Sequence, residues 1–523
     1  MPKKLLSLKK RILSLQIADW LFILAGLTVF SIITFLTISK SSIWFDEAFG
    51  IYLSHFSFFD IARYTAADVH PPLYYWLLKI WEMMFGNTEL AVRSMSVLFS
   101  GIAIIFGYLL TNRLFNKKVA RITLIFMVIS PMLVRYGQEA RMHTLVTAIA
   151  LVATYVLTFA ITTKKKLPWI IYGILVGLGM WAHYFSALVW IAHWIWRADI
   201  IRRIAKKGEF IKEFFTKEWI MTHIIAVALF VPWMPFLVYQ LLNVQVNGFW
   251  IPPVTPDTIP NFVTNVVYYQ EIGQVTGWLA AGLIAAVVLL AALALKTYKS
   301  QNESQRQAYR LIMAIAFLPI LILFMLSMPP LRSSFVDRYL IPSTFGIALF
   351  IGVTLALSVK LIGLKKQIIA IIFVAGLMLS GVFNVWQLGN YNKTLNTANN
   401  TRQIIEAIVD NSPNNQPIIA DSPWLFYEVV FYSTSNHPVY FINEKTQYRY
   451  GSLDMLKYND QGKIMDIASF SQSNPIVWYV GRPGDGDFNA PYSNWKPIKE
   501  VSVKDSITGN PSYRAIQYQI INE

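Results

Sequence analysis

Two adjacent carboxylates, Asp46 and Glu47, follow directly after the first long apolar segment of the chain. A carboxylate at such a boundary between hydrocarbon and water can act as a general base, because it can accept the proton of an acceptor hydroxyl group. Partial burial would raise its pKa, whereas a neighbouring arginine would lower it. The alternative interpretation is a solvated acidic pair at a helix end with no catalytic role.

A second group of reactive side chains, Asp68 and His70, stands before Pro71-Pro72 and close to Tyr74. The prolines restrict the backbone and lack an amide N–H, so they predict an extended turn. Asp68 and His70 could supply two ligands to a divalent metal, although two ligands alone are a weak metal signature. His70 could equally donate a hydrogen bond to a phosphate group. The alternative is a turn that only positions the following helix.

Four ionisable residues, Arg135, Glu139, Arg141 and His143, occur within nine positions near the predicted end of a membrane span. Charged groups at a membrane edge are unfavourable unless they are paired or functional. Arginine is also disfavoured in outer loops by the positive-inside rule, so these two arginines indicate an anionic partner. That partner could be Glu139, in an internal ion pair, or the phosphate of a lipid.

Two further clusters contain His183-Tyr184 and, later in the chain, Arg332 with Arg338-Tyr339. A single histidine between two helices is more often structural than a ligand, and this is the alternative for His183. Arg332 and Arg338 again fall on the side of the membrane where arginine is disfavoured. They therefore strengthen the prediction of an anionic substrate.

The composition excludes several classes of protein. Charged residues make up only 14% of the 523 positions, against about a quarter in soluble domains. A net charge of +16 could suggest nucleic acid as a partner. However, the lysines and arginines lie mainly in short loops between apolar segments, which is typical of membrane proteins. The absence of cysteine excludes disulfides and thiolate metal sites.

Membrane helices must position these side chains, because runs of about 20 apolar residues recur along the chain. Eleven spans are predicted at residues 18–38, 90–111, 119–136, 143–162, 168–182, 184–200, 220–242, 275–296, 311–328, 339–359 and 367–388. The first is interpreted as a retained span and not as a cleaved signal peptide. Every second loop is basic, which predicts a cytoplasmic N-terminus, an outer C-terminus and all of the clusters above on the outer face.

Two regions outside the spans have a predicted structure of their own. In the first outer loop, the apolar and aromatic stretch Leu73–Phe85 predicts an amphipathic helix in the membrane interface. After residue 390, short β-rich segments alternate with helical ones, which predicts a small α/β domain. We therefore divide the chain into a membrane module, 1–390, and an outer domain, 391–523, for which the choice of acceptor is one hypothetical role.

The order of five motifs along the chain resembles that of the GT-C superfamily of membrane glycosyltransferases. These motifs are Asp46-Glu47, Asp68-x-His70-Pro71-Pro72-Leu73-Tyr74-Tyr75, Gln138-Glu139-Ala140-Arg141, His183-Tyr184-Phe185 and Arg338-Tyr339. The resemblance covers roughly residues 15–390. It points to protein-mannosyltransferase-like and aminoarabinose-transferase-like enzymes, which use a polyprenyl-phosphate sugar donor. His143 departs from the family pattern, in which tyrosine is more usual at this position.

The resemblance implies an inverting transfer of a sugar to an acceptor hydroxyl or amine on the outer face. Asp46 would be the general base, with Glu47 beside it and Glu139 as a second acidic position. Arg141 and Arg338, with Arg332 or His70, would hold the departing phosphate through charge-assisted hydrogen bonds. The predicted substrate-binding residues are Asp68, His70, Tyr74, Arg135, Arg141, His183, Tyr184, Arg332, Arg338 and Tyr339.

The partners implied by the resemblance are the lipid-linked donor, the bilayer and an acceptor that could be a glycan, a lipid or a protein. Nucleic acid is not expected as a partner. Enzymes of this kind can use a divalent metal, but no ligand set in the sequence requires one.

Two other functions compete with a transferase. A lipid or sugar transporter would be expected to show matched halves and interrupted helices near the middle of the membrane. Here the ionisable residues cluster at the predicted outer edge, and the two halves of the chain do not correspond. A membrane scaffold with an outer binding domain is the second alternative, and it leaves the outer arginines and Asp46 without a role.

Overall fold

The computed structural model describes residues 15–163, 165–247, 250–270, 275–388, 391–392, 397–412, 416–433, 436–448, 451–482, 489–505 and 509–521. The basic N-terminal segment that is predicted to be cytoplasmic lies outside these residues. The chain divides into two compact units. The helical unit comprises Met1–Thr37, His70–Tyr74 and Arg93–Gln387, and the sheet unit comprises Ile38–Val69, Tyr75–Val92 and Leu388–Glu523. The boundary predicted at residue 390 assigns the first outer loop to the membrane module. In the structure, most of that loop belongs to the sheet unit together with the C-terminal domain.

Helices form most of the described chain. In chain order they are α1 (Ile17–Phe35), α2 (Phe45–Ser54), α3 (Phe58–Ala67), α4 (Leu73–Phe85), α5 (Glu89–Leu114), α6 (Lys117–Val128), α7 (Pro131–Gly137), α8 (His143–Thr162), α9 (Leu167–Ala182), α10 (Ser186–Ile204), α11 (Phe210–Phe214), α12 (Lys217–Phe230), α13 (Met234–Asn247), α14 (Thr258–Val267), α15 (Gly277–Ser300), α16 (Glu303–Leu326), α17 (Ile341–Leu357), α18 (Val359–Leu388), α19 (Thr401–Asp410), α20 (Pro423–Tyr432) and α21 (Ile467–Ser473). Four short 3₁₀ helices add Val231–Trp233, Asp337–Leu340, Asn443–Lys445 and Asp454–Tyr458.

Eight helical stretches in the described part of the chain are long and apolar enough to cross a membrane, or nine if the bent pair α6 and α7 forms one span. The bend of 57° occurs at Pro131, whose ring holds the preceding Ser130 in an extended conformation. The fifth and sixth predicted spans correspond to α9 and α10 and are not among these nine. Helix α9 has only 16 residues, and the last two turns of α10 carry Arg197, Asp199, Arg202 and Arg203.

Helix α17 lies at the centre of the helical unit, where it packs against α6, α8 and α16. Two glycines allow this close packing. A Cβ atom at Gly352 would lie 2.5 Å from the Cα of Thr123, and one at Gly346 would lie 2.9 Å from the Cα of Ala316. Small residues permit such close approach of helices in membranes. The packing fixes the N-terminal end of α17, which begins shortly after Arg338 and Tyr339.

The C-terminal part of the sheet unit is a mixed β-sheet. The strands are β1 (Tyr391–Asn392), β2 (Thr397–Ala398), β3 (Ile418–Ala420), β4 (Val439–Ile442), β5 (Lys463–Ile464), β6 (Ile476–Gly481), β7 (Trp495–Lys504) and β8 (Pro511–Ile520). The six-stranded sheet has the order β5-β4-β3-β6-β8-β7, with β5, β4, β3 and β6 parallel and β8 and β7 antiparallel. This confirms the predicted α/β domain.

The strand order of this sheet reverses between β3 and β6. From β3 the chain proceeds to β4 and then β5 on one side, and it returns through α21 to β6 on the other side. In doubly wound sheets, the crevice at the carboxyl ends of the strands beside such a reversal is the usual place for a ligand.

The first-loop part of the sheet unit has an exposed apolar face on α3 and α4. Phe59, Met83, Met84 and Phe85 are 78%, 76%, 67% and 54% exposed, whereas Tyr75 on the opposite face of α4 is fully buried. One exposed apolar face and one buried face agree with the amphipathic interfacial helix predicted from the sequence.

Candidate active site

Three histidines and one tyrosine from distant parts of the sequence meet inside the helical unit. The ring centroids of His70 and His183 are 5.3 Å apart, those of His143 and His183 6.2 Å, and those of His183 and Tyr339 4.9 Å. All four side chains are buried. We call these residues, His70, His143, His183 and Tyr339, the histidine cluster. His143 begins α8, His183 directly follows α9, and Tyr339 lies in the 3₁₀ helix before α17. His70 lies in the turn before α4.

His183 is at the centre of the cluster, and its local structure fixes its tautomer. The residue ends α9 in an extended conformation, and the backbone N–H of Phe185 donates a hydrogen bond to its Nδ1 at 3.2 Å. A neutral imidazole that accepts at Nδ1 carries its proton on Nε2. This Nε2 is buried and has no hydrogen-bond partner among the described residues. An unsatisfied buried donor costs about 1–3 kcal/mol, so an acceptor is expected there.

The charge around His183 comes from arginines. Burial lowers the pKa of His183 well below its ordinary value, and His70, Arg141 and Arg338 lower it further. The imidazole is therefore neutral at pH 7 and acts as a hydrogen-bond donor, while Arg141 and Arg338 provide positive charge. Together these groups form a site that favours an anion.

Arg338 is held by aromatic side chains. Its guanidinium lies 5.0 Å from the ring centroid of Trp250 and 5.9 Å from that of Tyr339. The preceding Asp337 accepts a hydrogen bond from the side-chain amide of Asn265 at 2.6 Å. Trp250 and Asn265 are not among the site residues predicted from the sequence. The only local signal in the sequence is the aromatic Trp250 itself, which precedes a proline cluster in a long loop.

Arg135 and Glu139 form the internal ion pair that the sequence analysis gave as the alternative to phosphate binding. Their side chains are 3.1 Å apart, and Glu139 is only 2% exposed. The backbone carbonyl of Glu139 accepts hydrogen bonds from the Ser96 hydroxyl and from the N–H of Arg141. Glu139 thus orients both arginines of this turn, one through its side chain and one through its backbone.

The other predicted residues of the helical unit have environments of their own. The hydroxyl of Tyr184 donates to Gln240 at 2.5 Å and accepts from the indole N–H of Trp233 at 2.7 Å, so it lies against α13. Arg332 is exposed, and no contact between it and the histidine cluster is found in the described part of the chain. Tyr74 is fully buried at the start of α4.

Asp46 and Glu47 lie in the first turn of α2, in the sheet unit. Carboxylates are favoured there because the helix dipole is positive at its N-terminus. Glu47 is 1% exposed and its carboxylate accepts a hydrogen bond from the N–H of Trp44, whereas Asp46 is half-buried. The two residues therefore have different environments, and Asp46 is the more accessible of the pair.

Asp68 also belongs to the sheet unit, where its carboxylate accepts a hydrogen bond from the hydroxyl of Ser452 at 3.1 Å. Within the described ranges, no group of three or more His, Asp and Glu side chains is arranged to hold a metal ion. The described residues therefore supply no set of ligands for a divalent metal, whose presence the sequence left undecided.

The fold matches that of a solved structure. The crystal structure of ArnT from Cupriavidus metallidurans bound to undecaprenyl phosphate is 12% identical, with a TM-score of 0.61 over 96% of this chain and 98% of that chain. The apo structure of the same protein gives a TM-score of 0.58. The chain thus shares the fold of this protein, and its long apolar helices make it a polytopic membrane protein, as predicted.

Sequence comparisons agree with this fold. Residues 69–239 match a family model described as dolichyl-phosphate-mannose-protein mannosyltransferase. The undecaprenyl phosphate-alpha-4-amino-4-deoxy-L-arabinose arabinosyl transferase 2 of Pseudomonas fluorescens is 24% identical over 53% of this chain and 45% of its own length. The corresponding protein of Pseudomonas savastanoi pv. phaseolicola is 24% identical over 31% of this chain and 30% of its own length. The chain is therefore aligned with less than half the length of these relatives.

Proposed function

We propose that this protein transfers a sugar from a polyprenyl-phosphate-linked donor to an acceptor hydroxyl or amine, with inversion at the anomeric carbon. The observation that carries the proposal is the buried Nε2–H donor of His183 beside Arg141 and Arg338. A phosphate has the charge and the acceptor oxygens that such a site requires. The resemblance to proteins named for undecaprenyl phosphate supports a polyprenyl carrier.

In the proposed reaction, the acceptor oxygen or nitrogen attacks the anomeric carbon from the face opposite the phosphate. The bond between that carbon and the phosphate oxygen breaks, and its electron pair leaves with the polyprenyl phosphate. Arg141, Arg338 and the neutral His183 stabilise the charge that develops on the phosphate. These groups are fixed before the reaction begins, so little reorganisation is needed at the moment of transfer.

Asp46 is proposed to take the proton that the acceptor loses. Its partial exposure in the first turn of α2 suits a general base that must reach a substrate. The buried Glu47, which caps the same helix turn, would maintain the geometry of Asp46. Glu139 would orient Arg135 and Arg141.

We propose that the N-terminus is cytoplasmic and that the sheet unit lies outside the cell membrane, because the distribution of basic loops favours this orientation. The exposed apolar face of α3 and α4 would lie in the outer membrane–water interface. The acceptor would then be an extracytoplasmic glycan, lipid or protein.

The proposal is tested by mass spectrometry of polyprenyl lipids in host cells that carry Asp46→Asn. Accumulation of a sugar-phosphate lipid is expected, because the donor would be made but not consumed. Asp60→Asn is a matched control, since Asp60 is another half-buried aspartate of the same loop, in the first turn of α3. An unchanged lipid profile in Asp46→Asn, at normal protein levels, would count against the transferase and favour a transporter or scaffold.

A further inference from the structure

The segment that precedes α2 is held by hydrogen bonds to the C-terminal part of the sheet unit. The side-chain amide of Asn399 donates to the carbonyl oxygens of Ser42 at 3.2 Å and Ile43 at 3.0 Å. The N–H of Ile43 donates to the hydroxyl of Tyr432 at 2.6 Å. The backbone just before Asp46 is therefore bonded on both its acceptor and its donor groups.

Asn399 is itself fixed by a buried polar network. Its side-chain oxygen accepts a hydrogen bond from the hydroxyl of Tyr513 at 2.9 Å. The same hydroxyl accepts from Nε of Arg482 at 3.0 Å, and Arg482 forms an ion pair with Glu428 at 2.8 Å. Because its oxygen faces Tyr513, the NH₂ group of Asn399 can only face the two carbonyl groups.

This network occupies the carboxyl ends of β3 and β6, where the strand order reverses. Arg482 directly follows β6, and Glu428 lies in α20, which follows β3. Other doubly wound sheets bind ligands at this place. Here aromatic packing adds to the contact with the first loop, since the rings of Phe45 and Trp424 are 4.6 Å apart and those of Phe49 and Tyr427 5.6 Å.

We propose that Asn399 is a positioning residue for sugar transfer, through which the C-terminal domain fixes the start of α2 and thereby the carboxylate of Asp46. The inference rests on the proposed function. A general base must lie within hydrogen-bond reach of its proton, and a misplacement of about 1 Å can cost on the order of 100-fold in rate. The domain thus acts on turnover through the geometry of the base, and it need not contact the acceptor.

The test compares Asn399→Ala and Asn399→Asp with Asn400→Ala in the full-length protein. Asn399→Asp keeps the side-chain size and the acceptor for Tyr513, but it replaces the NH₂ donor by an acceptor that faces two carbonyl oxygens. Asn400 is an equally buried neighbour whose side-chain amide donates hydrogen bonds to Lys504 and Ser512 of the C-terminal domain. Asn400→Ala removes hydrogen bonds within the same domain, but it leaves the hydrogen bonds from Asn399 to Ser42 and Ile43 intact.

Hydrogen exchange measures the contact without reference to activity. Amides of residues 43–49 are expected to exchange about tenfold faster in both Asn399 variants and at the wild-type rate in Asn400→Ala. Equal exchange in all three variants would overturn the inference. Folding is monitored by exchange in β6 and β8, which should remain protected.

Turnover is measured with the lipid that accumulates in Asp46→Asn cells as the donor. The Asn399 variants are expected to lose about 10–100-fold in kcat with little change in the KM for this lipid, and Asn400→Ala should behave as wild type. Faster exchange at residues 43–49 with unchanged kcat would overturn the positioning role. If Asp46→Asn accumulates no lipid, the proposed function fails, whereas the exchange result still reports on the contact alone.

Discussion

The imidazole of His183 accepts a hydrogen bond at Nδ1 from the backbone N–H of Phe185, at 3.2 Å. This one contact decides which ring nitrogen is the donor, in a ring that lies beside those of His70, His143 and Tyr339. The same ring is kept neutral by burial and by two arginines. A neutral donor between fixed cations differs from a histidine cation, since its hydrogen bond does not depend on pH near neutrality.

Removal of the His183 donor should weaken the binding of polyprenyl phosphate. His183→Phe is expected to raise the Kd for undecaprenyl phosphate by about 10–100-fold, because hydrogen bonds to charged groups contribute about 1.5–3 kcal/mol. His183→Gln, which retains an N–H donor, should lose less. Tyr184→Phe is the control, since its hydroxyl is bonded to Trp233 and Gln240. A Tyr184→Phe effect as large as that of His183→Phe would contradict this assignment.

The buried ion pair of Glu428 and Arg482 should be important for the stability of the sheet unit. Arg482→Met leaves a buried carboxylate without its partner and is expected to cost about 3–5 kcal/mol in the free energy of unfolding. The exposed pair Arg514–Glu500, at 2.8 Å, is the comparison, and Arg514→Met should cost only about 0–1 kcal/mol. Denaturant unfolding in detergent measures both values. Similar losses in the two variants would show that the burial of the first pair is not the cause.

Glu82 should make the stability of the sheet unit depend on pH. Burial raises its pKa to about 7, although the hydroxyl of Ser54 and the ammonium of Lys79 act in the opposite direction. Between its ordinary pKa of 4.5 and about 7 the folded state holds a proton that the unfolded state lacks, so stability decreases as pH rises through this window. Glu82→Gln should therefore have a higher Tm than wild type at pH 8 and nearly the same Tm at pH 5.

The control for this effect is Glu406→Gln, because Glu406 is exposed on α19. It should leave the Tm unchanged at both pH values. An equal rise of the Glu82→Gln Tm at pH 5 and pH 8 would mean that the substitution acts through packing and not through ionisation.

The apolar face of α4 should lie in the membrane interface. The chain contains no cysteine, so single cysteines can be labelled without further changes. A fluorophore at Met83→Cys, which replaces a side chain that is 76% exposed, should be quenched by lipids that carry quenchers near the headgroup. The same label at Lys496→Cys on β7, a position in the exposed part of that strand, should not be quenched. Equal quenching at the two positions would argue against an interfacial α4.

The sequence predicted the membrane helices well because a bilayer allows few alternatives to long apolar helices. The fifth and sixth predicted spans fall on the helices that depart most from that rule, the short α9 and α10 with Arg197 and Asp199. Strands β7 and β8 were not among the predicted β-rich segments. In β7 most side chains are exposed, so the apolar signal of a buried strand is missing.

The candidate site was partly predictable for a similar reason. Arg141, His183 and Arg338 could be selected because ionisable residues near membrane spans are rare, and the structure brings all three together. Nothing local distinguishes Asn399 or Arg482 from other polar residues of a soluble domain. Their importance comes from contacts with distant segments, which a sequence pattern cannot contain.

The hydrogen bond from Asn399 to Ile43 joins residues 356 positions apart. A ribosome that adds about 5–20 residues per second synthesises the first outer loop roughly 20–70 s before the residues that hold it. Throughout this interval the membrane helices are being inserted, while the segment that carries Asp46 still lacks its support. Under the proposed function, an unfinished chain could bind the donor lipid before it could transfer the sugar, so the order of synthesis would delay turnover until the C-terminal domain has folded.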